Sequence, residues 1–197
     1  MATENLYDAC IRPSLCAMLR SKFRNCRNSL IVEELGLCRG QSRVDVALIN
    51  GIMHGYEIKS DRDSLKRLAQ QCEMYNRIFD KVTLVVGERH CEKALDIIPE
   101  WWGVMNVHDE NEELNFHLAR AERDNPMRES RAIVELLWLD EAIELLEKHE
   151  AAKGVRGKPR QIVWDRVCEI LSIDEISEGA RECIKARKGM RYSVMSP

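Results

Sequence analysis

Two acids and a lysine lie in an otherwise largely apolar stretch at residues 43–59: Asp45, Glu57 and Lys59. Apolar residues alternate with other types on both sides of positions 50–51, which predicts two strands joined by a turn. A buried carboxylate is costly unless it is paired or bound to a cation, so the two acids indicate either an ion-paired arrangement or a site. We favour a site.

The chemistry that suits these residue types is metal-assisted hydrolysis. Two hard oxygen donors on adjacent strands match Mg²⁺ or Mn²⁺, which take one or two carboxylates and complete their shell with water and phosphate oxygens. Lys59 follows Glu57 by two residues, so both side chains lie on one face of the strand. The amine of Lys59 could orient or deprotonate a metal-bound water.

The length of the turn decides whether Asp45 and Glu57 share a face. A two-residue turn would place Asp45 opposite Tyr56 and send Glu57 to the other face. A three-residue loop at 50–52, with Gly51 in a left-handed conformation, would place the two acids opposite each other. We therefore predict the three-residue loop.

Two helices are predicted before the hairpin. Residues 4–25 carry an apolar stripe, and Arg12 lies off that stripe, where a solvated position is expected. A shorter helix through 30–35 would end at Gly36 and would carry Glu34.

A third helix is predicted directly after the hairpin. Asp63 would cap it, and Gln71 and Tyr75 would lie one turn apart on it. An amide and a phenol at this spacing could together hydrogen-bond a phosphate or an attacking water. An ordinary core position for Tyr75 is the alternative.

Asp45, the hairpin and the run Glu57-Ile58-Lys59 together resemble the PD-(D/E)XK nuclease superfamily, which has the restriction-endonuclease-like fold. This sequence has Val44 where the name of the superfamily has proline. That departure changes no implied metal ligand.

Two flanking features strengthen the resemblance. Gln71 and Tyr75 are similar to the Gln-x-x-x-Tyr element of RecB-type nucleases, and Glu34 is similar to an upstream acid that points to the metal. An exposed helix acid is the alternative interpretation of Glu34. The similarity covers about residues 30–107 and is nearest to small, largely uncharacterised bacterial members.

The resemblance implies a Mg²⁺- or Mn²⁺-dependent nuclease that hydrolyses phosphodiester bonds, with DNA favoured over RNA. Lys59 would position the water and stabilise developing charge, and Gln71 and Tyr75 would support water or substrate. The implied metal ligands are Asp45, Glu57, Glu34 and the backbone carbonyl of Ile58, and the implied catalytic set adds Lys59, Gln71 and Tyr75.

The rest of the pattern predicts an α/β fold, with a mixed sheet flanked by helices at 1–122 and a helical C-terminal module at 123–197. The resemblance implies that the sheet at 1–122 has the restriction-endonuclease-like arrangement. A continuous β-branched run at 81–86 indicates a strand covered on both faces. The other predicted elements are a helix at 91–98, strands at 103–107 and 114–118, and helices at 129–150, 159–171 and 174–188.

Cations are predicted to contact phosphates in two places. Arg43 and Arg67 lie near the hairpin in sequence, and a glycine-containing loop at 153–160 carries four cations. Each phosphate contact would release counterions, although many such loops are only solvated surface. The loop cations are Lys153, Arg156, Lys158 and Arg160.

The composition is that of a globular chain, with 45% apolar residues and a formal net charge of −3. Eight cysteines contain no CxxC pair, so neither zinc nor an iron–sulfur cluster is expected, and a reducing compartment is indicated. There is no secretory signal and no apolar run of transmembrane length, so a cytoplasmic protein without membrane contact is expected.

Two other classes compete with the nuclease: a non-catalytic nucleic-acid- or protein-binding module that keeps the fold, and a metal-independent structural partner in a larger assembly. The pathway could be DNA repair, mobile-element biology or phage defence, and a homodimer would suit double-strand cutting. Because Asp45 and Glu57 are interpreted as like-charged neighbours, replacing either with alanine is expected to leave the apo fold as stable or slightly more so.

Overall fold

The centre of the molecule is one mixed β-sheet. The computed structural model describes residues 8–26, 28–110, 113–187 and 192–194. The strands within those residues are β1 (Leu30–Leu37), β2 (Ser42–Ile49), β3 (Met53–Lys59), β4 (Lys81–Gly87), β5 (Gly103–Glu110), β6 (Glu113–Arg120) and β7 (Tyr192–Val194). They pair in the order β6-β5-β4-β3-β2-β1-β7.

Helices precede, interrupt and follow the strands. Short 3₁₀ turns at Leu65–Arg67 and Glu88–His90, and a left-handed turn at Cys38–Gly40, lie between them. The α-helices of the described residues are α1 (Asp8–Phe23), α2 (Leu68–Asn76), α3 (Cys91–Leu95), α4 (Ser130–Val134), α5 (Leu139–Lys148), α6 (Arg160–Ile170) and α7 (Ile173–Ala186).

The sheet combines parallel and antiparallel pairs. β3 pairs parallel with β4, and β4 with β5, whereas the other neighbours are antiparallel. β4 is buried along almost its whole length, as its β-branched run predicts. The predicted α/β class with a mixed central sheet is therefore confirmed.

Helices cover both faces of the sheet. On one face, Leu15 and Leu19 of α1 pack in a cluster with Val46 and Tyr56. On the other, α2 and the four C-terminal helices share one continuous apolar cluster with the strands, and Trp102 is fully buried in it. The C-terminal helices and the sheet therefore stabilise one another through a common core.

The predicted helix through 30–35 is wrong, because this segment is strand β1. Leu30, Ile31 and Val32 are consecutive and all buried, as in a strand that is covered on both faces. Together with Leu35 they imitate helical spacing, and periodicity alone does not separate the two patterns over so short a run.

The C-terminal region departs from prediction in two places. The helix predicted at 129–150 is two helices, because Trp138 has extended backbone (φ −70, ψ 164) and its N–H donates to Glu141 Oε2 at 2.7 Å, which begins α5. The region is also not wholly helical, since β7 pairs antiparallel with β1. The predicted helices at 159–171 and 174–188 and the edge strand at 114–118 are present as α6, α7 and β6.

Candidate active site

The β2–β3 hairpin has the predicted register. Val46 lies opposite Tyr56 and Ile49 opposite Met53, so a three-residue loop joins the strands. The predicted left-handed conformation is wrong, because Gly51 is not among the residues with positive φ in the described chain.

The side chain of Asn50 closes the loop instead. Its Oδ1 accepts from Ile52 N at 3.0 Å, and Asn50 N donates to Ile52 O at 3.1 Å. An Asx-type turn of this kind satisfies the loop backbone without requiring a left-handed glycine.

The two strands separate where Asp45 lies. Their pairing begins at Val46 and Tyr56, and one residue earlier the carboxylate of Asp45 accepts the backbone N–H of Ile58 at 2.8 Å. A side chain therefore replaces a ladder bond, and the sheet opens into a fork at this level.

Side-chain alternation also reverses at the fork. On β1, Val32 and Leu35 belong to the same apolar layer although they are three residues apart, and on β2 the same is true of Val44 and Ala47. A regular strand would put each pair on opposite faces. The reversal on β1 coincides with Glu34, whose φ is 55 in the middle of the strand.

Glu57 is the most enclosed of the three predicted site acids, at 1% exposed. Lys59 Nζ donates to its Oε1 at 2.5 Å, and Gln71 Nε2 donates to the same oxygen at 2.6 Å. Tyr75 Oη donates to the other oxygen, Oε2, at 2.6 Å. The structure thus brings together Glu57, Lys59, Gln71 and Tyr75 as a single hydrogen-bonded group.

Tyr75 acts here as a fixed donor. Burial and the neighbouring charge of Glu57 raise the pKa of its phenol, so the hydroxyl keeps its proton. The ring is fully buried and stacks at 6.0 Å on Trp102. Tyr75 is therefore both a core residue and a site residue, which joins the two alternatives that the sequence left open.

Arg12 is a site residue that sequence reasoning missed. Its guanidinium lies 2.9 Å from Glu34 Oε1 and 3.5 Å from Asp45 Oδ1, with only 19% of the side chain exposed. The position off the apolar stripe of α1 was correctly identified, but it faces the fork and not solvent. Nothing in the spacing around Arg12 distinguishes it from the other cations of that helix.

A polar cavity of about 830 Å³ opens over the fork. Arg43 and Arg67 line it as well, and Arg43 Nη1 pairs with Glu34 Oε2 at 3.1 Å. The Oε1 atom of Gln71 is buried on this wall without a hydrogen-bond partner in the described chain. The lining also includes Glu34, Asp45, Glu57, Ile58 and Lys59.

Asp63 also borders the cavity, but it does not cap a helix. Its Oδ2 accepts from Ser60 N at 2.7 Å and from Ser60 Oγ at 2.6 Å. Ser64 caps the 3₁₀ turn that leads into α2, by accepting from Lys66 N at 3.3 Å. The predicted cap is therefore displaced by one residue.

The four cations of the 153–160 loop differ in their contacts. Arg156 pairs with Glu147, whereas Lys153 and Lys158 are exposed. Arg160 lies over the ring of Trp164 at 5.4 Å from the centroid.

The donor atoms of the site are of the type that a hard divalent cation prefers. Asp45 and Glu57 supply carboxylate oxygens to one cavity, the unpartnered Oε1 of Gln71 is a further oxygen beside them, and Mg²⁺ and Mn²⁺ prefer such ligands. Among the described residues, no three or more His, Cys, Asp or Glu side chains form a group that could hold a metal ion.

The fold and site define an α/β protein whose mixed sheet forks beneath a cavity lined by acids and cations. The chain belongs to the family described as Bacteriophage P4 protein cII, whose profile matches residues 1–195. Protein cII of Enterobacteria phage P4 is 30% identical over 96 residues, which is 49% of this chain and 36% of that protein. The chain thus spans about a third of the length of that curated relative.

A similar solved structure is described as SPO1766 protein of unknown function from Silicibacter pomeroyi. The alignment has 20% sequence identity and a TM-score of 0.45, and it covers 76% of this chain and 92% of that chain. In the described part of this chain, no helix has the length and apolar character needed to cross a bilayer.

Proposed function

We propose that this protein is a divalent-metal-dependent nuclease that hydrolyses phosphodiester bonds, with DNA as its preferred substrate. The observation that carries the proposal is the meeting of Asp45, Glu57 and Lys59 at one polar cavity over the fork. Two acids and an amine in this arrangement suit metal-assisted attack of water on a phosphodiester.

We assign the roles from the resemblance to PD-(D/E)XK nucleases and from the shared cavity. Asp45, Glu57, Glu34 and the Ile58 carbonyl would hold Mg²⁺ or Mn²⁺. The bound ion would supply Lewis acidity and lower the pKa of its water. Lys59 would orient the attacking water and stabilise developing negative charge, while Gln71 and Tyr75 fix the carboxylate of Glu57 through the hydrogen bonds described above.

The test is cleavage of plasmid and of labelled single strands with Mg²⁺, Mn²⁺ or Ca²⁺. Asp45→Asn is expected to abolish cleavage, and Lys59→Ala to lower the rate by roughly 10². Ca²⁺ is expected to bind without supporting turnover, because its coordination is loose. Asp96→Asn and Lys66→Ala, both at exposed positions outside the cavity lining, are the matched controls and should cleave like wild type.

One observation favours a second candidate, a non-catalytic module that has kept the fold. Arg12 already pairs with Glu34 and Asp45, and Lys59 with Glu57, so cations of the chain neutralise the acids without metal. Thermal shift separates the two, since a ligand that binds only the native state raises its apparent stability. A wild-type protein that Mn²⁺ does not stabilise, and that cleaves neither DNA nor RNA, would support the module.

The family name bears on the biological setting. Because the matched family and the curated relative are both called phage P4 protein cII, we place the substrate in phage or other mobile-element biology. We also propose the cytoplasm as the compartment.

A further inference from the structure

A second cavity, of about 550 Å³, adjoins the candidate active site. Gly36 and Gly40 line both cavities, so the two are continuous across the turn between β1 and β2. The wall of the second cavity comes from that turn and the end of β1, the connection between α4 and α5 at 135–138, the first residue of α5, helix α6, and Arg187 after α7. The helical region therefore reaches the edge of the candidate active site.

The second cavity has an exposed aromatic ring. Trp138 is 52% exposed, whereas Trp101, Trp102 and Trp164 are 7%, 0% and 2% exposed. Arg187 lies over the Trp138 ring at 4.5 Å from the centroid and is itself paired with Glu141. A tryptophan held against a neutralised cation is a rigid surface on which a nucleobase can stack.

Two cations of this cavity have no carboxylate partner among the described residues. They are Arg39, on the turn, and Arg160, at the start of α6, and both are exposed. The acid in the lining, Glu135, is already paired with Arg131 at 3.2 Å. The free charge of the cavity is therefore positive and suits phosphate.

The turn that joins the cavities holds an unfavourable backbone. Cys38, Arg39 and Gly40 have φ values of 47, 60 and 85, so two non-glycine residues adopt the left-handed region in succession. Such conformations cost on the order of 1 kcal/mol or more each and persist where surrounding structure enforces them. The strain falls on the residue that brings an unpaired cation to the second cavity.

Trp164 adds an unsatisfied donor. It is 2% exposed and lines the second cavity, and its Nε1 has no acceptor in the described part of the chain. Arg131 and Arg160 lie over its ring at 5.3 and 5.4 Å. A buried N–H without an acceptor is uncommon, and a bound phosphate or base oxygen would satisfy it.

We propose that the two cavities form one path for a single strand of nucleic acid. A base stacks on Trp138, phosphates contact Arg39 and Arg160, and the strand continues over Gly36 and Gly40 to Asp45 and Glu57. The occupant is a single strand because stacking on a side chain requires an unstacked base, which a duplex does not offer. The inference rests on the proposed function, since it assigns the substrate class of the same site.

The experiment measures binding without turnover, in EDTA. The anisotropy of a fluorescein label on the probe gives the affinity of every variant, and tryptophan fluorescence gives a second signal in the proteins that keep Trp138. The probes are an oligodeoxythymidylate of about 12 nucleotides, within the range of single-strand site sizes, and its duplex with oligodeoxyadenylate. Because Trp138 is far more exposed than the other three tryptophans, quenching reports on its ring. Trp138→Ala removes the stacking surface, and Trp138→Phe keeps an aromatic ring but removes the signal.

The single strand is expected to quench the wild type and to bind more tightly than the duplex. Trp138→Ala should weaken binding by about five-fold or more, and Trp138→Phe should bind nearly as wild type. Arg39→Gln and Arg160→Gln should each reduce the log-log salt slope by about 0.7. Arg166→Gln, on the same helix as Arg160 but outside the cavity lining, should not.

Two results would overturn the path: Trp138→Ala that binds the single strand like wild type, or a duplex that binds as tightly as the single strand. The proposed function is tested separately, by cleavage that depends on Asp45. If cleavage persists and Trp138→Ala binds normally, the path is rejected and the nuclease stands. If binding behaves as expected and the wild type cleaves nothing, the path stands as a binding site and the nuclease is rejected.

Discussion

Lys59 Nζ lies 2.5 Å from Glu57 Oε1, and 6% and 2% of the two side chains are exposed. Two charges held this far from water depend on each other, because each would be expensive to bury alone. The sequence alone predicted that removing Glu57 would leave the apo fold as stable or slightly more so. The pairing with Lys59 reverses that expectation, since it would leave a buried ammonium without a counterion.

Glu57→Gln should therefore lower the free energy of unfolding by about 3–5 kcal/mol, the usual cost of breaking a buried pair by removing one partner. Chemical denaturation in EDTA measures it. The double variant Glu57→Gln with Lys59→Met removes both charges and should recover most of the loss. A Glu57→Gln protein as stable as wild type would show that the pair is not buried in solution.

Arg12→Met should make the protein more dependent on divalent metal. Without the guanidinium, Glu34 and Asp45 lose a cation that they share, which should destabilise the metal-free protein by about 1–3 kcal/mol. Mn²⁺ should then raise the midpoint of thermal unfolding more in Arg12→Met than in wild type. The control, Arg24→Met, removes an exposed arginine of the same region and should behave as wild type. Equal shifts in all three proteins would exclude a metal at these acids.

The hairpin loop should tolerate loss of its glycine but not of its asparagine. Gly51 lies outside the left-handed region and a Cβ there meets nothing within 4 Å, so Gly51→Ala should be neutral or stabilising by up to about 1 kcal/mol. Asn50→Ala removes the bond to Ile52 N and should cost about 0.5–1.5 kcal/mol. Urea unfolding measures the stability of the two variants. If Gly51→Ala were the more destabilising change, the left-handed loop predicted from the sequence would be correct.

His54 should give the protein an acid-sensitive stability. Burial, followed by the charges of Lys81 and Lys22, lowers the pKa of this imidazole to about 3. Below about pH 6.5 the unfolded chain therefore binds a proton that the folded chain does not. Stability is full above that pH and falls as the pH drops toward 3, by up to about 1.4 kcal/mol per pH unit.

His54→Gln should flatten this dependence. Its unfolding free energy should change less than that of wild type between about pH 7 and about pH 5.5, a window above the range in which most carboxylates titrate. His149→Gln, at an exposed position, should keep the wild-type slope. Identical slopes in His54→Gln and wild type would mean that His54 titrates normally in the fold.

The convergence of Asp45, Glu57 and Lys59 could be predicted because it depends on local rules. Strand alternation puts Glu57 and Lys59 on one face, and the requirement that two acids share a site fixed the hairpin register. The same rules gave a wrong prediction for β1, the strand next to β2. At Glu34 the alternation reverses, and that reversal depends on the fork and not on the residues that flank Glu34.

Arg12 and Trp138 show a second reason why parts of the site could not be predicted from the sequence. Arg12 reaches acids 22 and 33 residues away, and its place depends on how α1 lies across the sheet. Trp138 reaches the second cavity because the helix predicted at 129–150 breaks there, and helical periodicity did not predict the break. Long-range packing, which a single sequence does not encode in its periodicity, decides both positions.

The left-handed backbone at Glu34 means that the carboxylate of the proposed site is kept at the cost of local strain. Glycine adopts φ near 55 at little cost, whereas glutamate is strained there by about 1 kcal/mol, so Glu34→Gly would relieve strain but would also remove the ion pairs with Arg12 and Arg43. That same change deletes a carboxylate from the cavity. Selection for thermal stability alone would favour glycine at this position only if the relieved strain exceeded the lost ion pairs, and such a variant would lack a carboxylate of the proposed metal site.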